Sequence, residues 1–398
     1  MSLFATKSIE RLLQESEGKG GQGLSRTLSA GQLIALGIGA IIGAGIFTLT
    51  GVAAANHAGP AIVYSFILAA IGCAFAGLCY SEFSTMIPIA GSAYTYAYAT
   101  MGELLAWIIG WALVLEYAVG AATVSVSWSG TVDSMLRSFG VNLPQQLIAS
   151  PWDPKPGLIN LPAVLIICVI SWILITGIKE SARFNSLIVA LKLAVVVLFI
   201  GLGYFFINHD NYTPFIPANT TGEFGKFGFT GILAAAGQIF FAYIGFDAVS
   251  TAAQEARNPK RDMPIGIIGS LVVCTILYIL YALVLTGVVN YKDLNVSAPL
   301  AVAVDRMKYG WLGFMMKLGS LAGLTSVMLV MLLGQSRVFY SMSRDGLLHK
   351  MFSDIHPAHH TPWKSNLLLM LVVSLLGAFT PIAQLGNLTS IGTLWAFV

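Results

Sequence analysis

The stretch GIGAIIGAGIF, residues 37–47, carries Gly37, Gly39, Gly43 and Gly45 near the middle of an apolar run, residues 32–56. At about 1.5 Å per residue such a run is long enough to cross a bilayer. Glycine weakens a helix, so this density has two readings. One is close packing of small residues against a neighbouring helix. The other is a helix that breaks in mid-membrane, where the freed N–H and C=O groups need partners that lipid does not provide. Residues 231–255, GILAAAGQIFFAYIGFDAVSTAAQE, decide between them, because they again have spanning length, an interior Gly245, and the ionisable Asp247 close beside it. Two glycine-interrupted apolar segments in corresponding places of two halves predict a transporter of inverted repeats, with its site between the breaks.

Composition agrees with a membrane setting. The 398 residues are 56% hydrophobic and only 10% charged, with a mean hydropathy of +0.78, which excludes an ordinary soluble globular protein. Residues 1–30 are polar and carry Lys7, Arg11, Lys19 and Arg26, so no signal peptide precedes the first span and the N-terminus is expected in the cytosol. Within that segment Phe4, Ile9, Leu12 and Leu13 recur near helical spacing, which reads as a short interfacial helix or as a frayed tail. Cys73, Cys79, Cys168 and Cys274 all fall inside apolar runs, without metal-ligand spacing or a disulfide framework. The net charge of +3 is dispersed between spans and is read as topology, not as affinity for nucleic acid.

Apolar runs predict ten spans, near residues 32–56, 60–86, 102–128, 160–177, 183–207, 229–255, 264–289, 312–342, 364–380 and 386 onward, with the chain ending inside the tenth. This gives a segment 1–30, a first repeat 31–228 and a second repeat 229–398. Thirteen Lys and Arg fall on the N-terminal side and seven on the other, with Lys192 inside a span completing the 21. That excess supports a cytosolic N-terminus. Connections 129–160 and 208–228 read as external caps. The cytosolic connection 344–364 carries His349, His356, His359 and His360 without supporting carboxylates or cysteines, so no metal site is expected there.

Five blocks resemble the amino acid, polyamine and organocation transporter superfamily and, within it, the bacterial cationic amino acid transporter family. They are GAGIF (43–47), PIAGSAYTYAYATMGE (88–103), GWALVLEYAVG (110–120), FFAYIGFDAVSTAAQEARNPKRDMPIGI (240–267) and GQSRVFYSMSRDGLL (334–348). The resemblance implies an all-α integral membrane protein with the leucine-transporter-type fold, two inverted five-helix repeats with the first and sixth helices broken. It also implies relatives of twelve spans.

An amino acid zwitterion needs replacement for water at both ends once enclosed, and broken helices supply both signs without formal charge. The carboxylate is expected on the backbone of Gly43, Ala44 and Gly45, and the ammonium on the carbonyls of Ile41, Ile42, Phe241, Ala242 and Ile244. Such contacts accept any α-amino acid. Selectivity then falls to Phe241, Phe246, Tyr278 and Met331, whose apolar or aromatic surface favours small neutral substrates over arginine. Asp247 has three readings: a partner for a cationic substrate or a proton, a gate residue, or a helix cap.

Lys192 lies about 13 Å along its helix from Arg183, a depth that costs about 2.5–3.5 kcal/mol unless the side chain faces the bundle interior. The resemblance implies that its ammonium takes the place of a sodium ion beside the first span, hence a proton-linked, sodium-independent carrier; a fixed structural cation is the other reading. Glu116 is a second buried carboxylate, a packing anchor or part of a proton path. The expected function is secondary active transport of L-amino acids in a lipid bilayer, the cell membrane, with the proton as coupling ion. The competing functions are an exchanger, a voltage-driven cationic amino acid facilitator, a channel and an intramembrane enzyme. No nucleophile-base pair, nucleotide motif or ligand spacing points to catalytic residues, a cofactor or a metal.

Overall fold

The glycines of the first span mark the place where its backbone leaves the helix. In a computed structural model that describes residues 5–8, 28–87, 92–176, 182–247, 249, 250, 253, 256–308, 310–357, 359 and 361–397, helix α1 (Ala30–Ile41) stops at Ile42, which is extended at φ −72° and ψ 107°. The chain then re-enters helix over residues 45–58, partly in wide π-type turns (Gly45–Leu49 and Ala54–Ala58). Gly59, at φ 60°, ends this second half.

The sixth span breaks in the same way. Helix α7 is Gly228–Ile239 in chain order; it tightens into a 3₁₀ turn at Phe240–Tyr243 and opens at Gly245, φ 115°. Between the two broken spans lie α2 (Ile62–Met86), α3 (Ser92–Thr100), α4 (Glu103–Ser138), α5 (Leu161–Thr176) and α6 (Ala182–Gly203). After the sixth come α8 (Pro259–Val288), α9 (Pro299–Met307), α10 (Gly310–Arg344), α11 (Trp363–Phe379) and α12 (Ile382–Phe397). Helices α1 and α2 pack along α8, whereas α4 packs along α10 and α12, and α5 along α11. Both breaks lie inside this bundle, not on its lipid-facing surface.

Two helices run well past the apolar runs, each held by a polar contact. Helix α4 continues to Ser138 instead of ending near 128, carried by an Asp133–Arg137 ion pair one turn apart at 2.9 Å and by the Thr131 hydroxyl donating to the Ser127 carbonyl at 3.0 Å. Helix α8 starts at Pro259, five residues before the apolar run, because proline suits a first turn and the Asp262 carboxylate accepts from the Asn258 N–H at 3.1 Å. Lys317, inside α10, is buried, its Nζ donating to Asp305 on α9 at 2.6 Å. Helices α3 and α9 lie in connections that the apolar runs leave blank.

The face that carries residues 5–8 is tied together by polar contacts. Lys7 Nζ donates to Asp345 Oδ1 at 3.0 Å, the Tyr94 hydroxyl on α3 donates to Asp345 Oδ2 at 2.8 Å, and the Lys7 N–H donates to the Tyr98 carbonyl at 3.1 Å. Burial first, and then the Asp345 charge, push the Tyr94 phenol up from its ordinary value, so it stays a donor. Farther along, the Arg257 N–H donates to the Leu28 carbonyl at 2.9 Å. The interfacial-helix reading, with Ile9, Leu12 and Leu13, lies outside the described residues. The neighbouring histidines serve local turns, His349 Nδ1 accepting from the Met351 N–H at 3.2 Å and His356 Nδ1 from the His359 N–H at 3.3 Å; His360 lies outside the described residues.

Glycine is required at the breaks because the two backbones press on one another. A Cβ on Gly245 would lie 2.7 Å from the Ala40 carbonyl carbon, and one on Gly45 would overlap the Ala242 backbone. Replacing Gly245 by alanine adds this clash to a left-handed φ, and is expected to destabilise the fold by about 1–3 kcal/mol. Gly201→Ala, where nothing lies within 4 Å, is expected to be neutral or stabilising by up to about 1 kcal/mol. Thermal unfolding of the detergent-solubilised variants checks the contrast, and equal melting temperatures would contradict it.

Candidate functional site

A broken helix ends with carbonyls that lack intrahelical partners and restarts with N–H groups in the same condition. In the first span the carbonyl end is at Ile41 and Ile42, and the N–H end is at Gly43, Ala44 and Gly45. In the sixth the carbonyl end is the Phe240–Tyr243 turn followed by Ile244. Because Gly45 meets Ala242 and Gly245 meets Ala40, all these groups come together at one locus. The sequence placed the backbone contacts here, and the structure brings Ile41, Ile42, Gly43, Ala44, Gly45, Phe241, Ala242 and Ile244 into it, all buried.

Tyr278 on α8 joins the two breaks. Its hydroxyl lies 3.0 Å from the Ile41 carbonyl and 2.8 Å from the Ala242 carbonyl. One phenolic proton serves one acceptor at a time, so lone pairs on these carbonyls stay open to a second donor. The ring is fixed between Phe66 and Tyr243, with both centroids 5.4 Å away. Sequence reasoning gave Tyr278 a place beside the substrate side chain; its hydroxyl instead addresses main chain. Only the packing of α8 against both breaks reveals that.

Lys192, 1% exposed, extends from α6 so that Nζ donates to the Gly39 carbonyl at 2.7 Å. Gly39 is in the last turn of α1. The lysine stem runs over Gly323 of α10, where a Cβ would lie 3.1 Å from its Cγ. The depth inferred from sequence is therefore met by an interior partner, with no snorkelling to the surface.

The distal surface is apolar. Gly120 of α4 faces both Met331 and Phe241: a Cβ there would lie 2.9 Å from the Met331 sulfur and 3.4 Å from Phe241 Cε2. Across from it, Val327 packs on Gly43, where a Cβ would lie 3.0 Å from Val327 Cγ2. Gly120 and Val327 were missed by sequence reasoning. The glycine closing the GWALVLEYAVG block was the available signal, but its meaning depends on Met331 standing opposite.

Phe246 points away from the carbonyl end, toward the face that carries residues 5–8. It packs edge-on to Tyr80 with centroids 5.6 Å apart, Tyr80 packs on Tyr96 at 6.2 Å, and Tyr96 stacks on Phe83 at 5.4 Å. Beside this aromatic plug, Asp247 accepts from the Tyr117 hydroxyl at 3.1 Å, and its backbone carbonyl accepts from Ser250 at 2.5 Å. Glu116, next to Tyr117, is fully buried, with Thr393 of α12 beside its carboxylate. Its backbone packs against Gly392 of α12. Toward the opposite face the Thr48 hydroxyl is in short contact with the Ser127 hydroxyl and donates to the Ser297 carbonyl at 3.2 Å. Polar contacts thus cover the locus on one side and aromatic rings on the other.

Tyr278→Phe removes the donor shared by the two breaks and leaves buried carbonyls without it, an expected loss of about 1–3 kcal/mol. A lowered melting temperature of the solubilised protein without added solute checks this, and an unchanged one would contradict the bridging role.

A family model described as amino acid permease matches residues 28–398. The chain is 44% identical over 396 residues to the methylthioribose transporter of Bacillus subtilis (strain 168), covering 100% of this chain and 83% of that protein. It is 45% identical over 400 residues to the branched-chain amino acid permease BcaP of the same organism, again covering 100% and 83%. Cationic amino acid transporter 4 of Homo sapiens is 35% identical over 377 residues, 94% of this chain and 58% of that one. Among solved structures, MhsT in complex with L-phenylalanine superposes with a TM-score of 0.60 at 15% identity, covering 89% of this chain and 80% of that chain, which is a likeness of fold.

Proposed function

The chain belongs to the amino acid permease family of the amino acid, polyamine and organocation superfamily, and from that premise we propose that it takes up small neutral L-amino acids together with protons, by alternating access. The carrying observation is Lys192 Nζ on the Gly39 carbonyl at 2.7 Å. A basic nitrogen on the end of a broken helix supplies the positive charge that a sodium ion would otherwise bring, and it can gain or lose a proton as its burial changes between states. The reading puts the N-terminus in the cytosol of a cell whose plasma membrane holds the protein. The aromatic plug at Phe246 then closes the inner side and the Thr48 contacts close the outer one.

Substrate binding follows from the two break ends. The α-carboxylate lies on the N–H groups of Gly43, Ala44 and Gly45, where the half-helix dipole is positive. The α-ammonium takes the open lone pairs of the carbonyls at Ile41, Ile42, Phe241, Ala242 and Ile244. Tyr278 keeps those carbonyls oriented. Side chains face Gly120, Phe241, Val327 and Met331, a surface without a partner for a guanidinium, so a buried arginine head is penalised. The branched-chain name of one relative agrees with a neutral side chain here. On this reading Asp247, which accepts from Tyr117, and Glu116, the residue before Tyr117, are the carboxylates assigned to proton movement.

A second reading, a voltage-driven facilitator of cationic amino acids, draws on the relatives of that name and on Asp247. The test is uptake into liposomes of L-alanine, L-valine and L-arginine under an inward proton gradient, an inward sodium gradient, or neither. Proton-driven uptake of alanine and valine is expected, falling roughly tenfold or more in Lys192→Ala. Arginine uptake that follows voltage and neither ion gradient would overturn the proposal in favour of the second reading. Counterflow of neutral amino acids without pH dependence would overturn the proton coupling alone.

A further inference from the structure

Lys317 is a second lysine drawn inside the bundle. It lies two turns into α10, about 10 Å from the start of that helix. Its side chain is 2% exposed, whereas that of its partner Asp305 is 58% exposed. Nζ donates to Asp305 Oδ1 at 2.6 Å and to the Ser138 hydroxyl at 3.3 Å, and Asp305 Oδ2 accepts from the Ser134 hydroxyl at 3.4 Å. The end of α9 is thereby joined to α10 and to the end of α4. Val304, the residue before Asp305, packs on Gly313 of α10, where a Cβ would lie 2.7 Å from Val304 Cγ1. Among the described residues Asp305 is the carboxylate within ion-pair distance of Lys317. Asp133, the carboxylate in the last turns of α4, is taken by Arg137 at 2.9 Å.

The start of α9 touches the second half of the first span without any formal charge. Pro299 meets Gly51, where a Cβ would lie 2.5 Å from the proline ring. Just before it, the Ser297 carbonyl accepts from the Thr48 hydroxyl at 3.2 Å, while the Ser297 side chain lies against Gly130 of α4. The two sides of α9 are therefore held unequally. Parting α9 from α10 would leave a buried ammonium with one neutral acceptor, Ser138, which is a costly state. Parting α9 from residues 45–58 breaks only neutral contacts, whose polar groups water can satisfy. The short Thr48–Ser127 contact lies on this same weaker seam, between the first span and α4.

We infer that Lys317 and Asp305 make α9 one moving body with α4 and α10, so that the pathway on this side opens by parting of α9 from residues 45–58 and not by lifting of α9 from α10. The inference rests on the reading of alternating access. Lys317 and Asp305 are positioning residues: they act by fixing the Ser297 carbonyl that Thr48 meets.

Two cysteine pairs in the full chain, closed in liposomes with copper phenanthroline, test which seam parts. Val304→Cys with Gly313→Cys ties α9 to α10, and Gly51→Cys with Pro299→Cys ties α9 to the first span; loss of free thiol gives the cross-linked fraction. Proton-driven L-alanine uptake is expected to stay within roughly twofold when the first pair is closed. Closing the second pair is expected to lower uptake roughly tenfold or more, with recovery on reduction. Loss of uptake with the first pair closed, or none with the second closed, overturns the inference. A second measurement needs neither substrate nor cross-link: the rate at which a membrane-impermeant maleimide labels Ser297→Cys above the background of the native cysteines. Adding Lys317→Met or Asp305→Asn is expected to raise that rate roughly tenfold, and adding both to raise it no further, because each frees the same helix. Asp305→Glu, which keeps the charge, is expected to label at the parent rate. Unchanged rates in the neutralised variants, or a raised rate in Asp305→Glu equal to theirs, overturn the anchoring by charge. Absence of amino acid uptake in the uncross-linked wild type overturns the transport reading, and the labelling rates still decide what the ion pair does.

Discussion

Backbone groups freed inside a membrane must be partnered within the protein, and the structure depends on how that is done at two adjacent breaks. Lipid supplies no hydrogen bonds, so an interrupted helix is tolerated only where it is buried or lines a cavity. Here the first and sixth spans bury their breaks against each other. Glycine at 45 and 245 lets the backbones approach, and the Tyr278 hydroxyl bridges carbonyls from both. Lys192 adds a donor to the last turn of α1. What remains is a locus of buried main-chain dipoles with few formal charges, suited to both ends of a zwitterion and indifferent to its side chain.

On the proposed reading, the surroundings divide this work from selection and from gating. Apolar side chains of three elements shape the distal surface, with Gly120 making the room that Met331 and Phe241 fill. Toward one face, aromatic rings from α2, α3 and the sixth span stack into a plug. Toward the other, the Thr48 hydroxyl meets the Ser127 hydroxyl and donates to the Ser297 carbonyl just before α9. Asp305 on α9 takes the buried Lys317 of α10 and accepts from Ser134 of α4, so the same short helix links the neighbourhood of the Thr48 contact to the long helices α4 and α10. The hydroxyl contacts are individually modest, which suits elements that have to separate and reform in a transport cycle.

The breaks were legible in sequence because glycine at mid-membrane is costly unless the backbone needs it, and because Gly45 and Gly245 recur in matching places. Lys192 was legible because a lysine at that depth has to find an interior partner; that the partner is the Gly39 carbonyl was not, since it depends on the rotation of α6 against α1. The ten apolar runs located the spans but not their polar extensions. Residues 129–138 carry α4 onward through pairing of Asp133 with Arg137, which hydropathy counts as loop. Helices α3 and α9 escaped for the same reason. Tyr278 shows the limit most clearly: an aromatic residue near a site reads as a pocket wall, and only its position between two carbonyls shows that its hydroxyl joins the two breaks.

The most direct test of the central claim is an experimental structure of the protein with a bound neutral L-amino acid. The account predicts the ligand at the meeting of the two breaks, with its carboxylate on the N–H groups of residues 43–45. Its ammonium would lie within about 3 Å of carbonyls at residues 41, 42 and 241–244, and its side chain against Gly120 and Met331. An amino acid bound only outside this locus, with the Tyr278 bridge and the break carbonyls unchanged and no ligand between them, would contradict it.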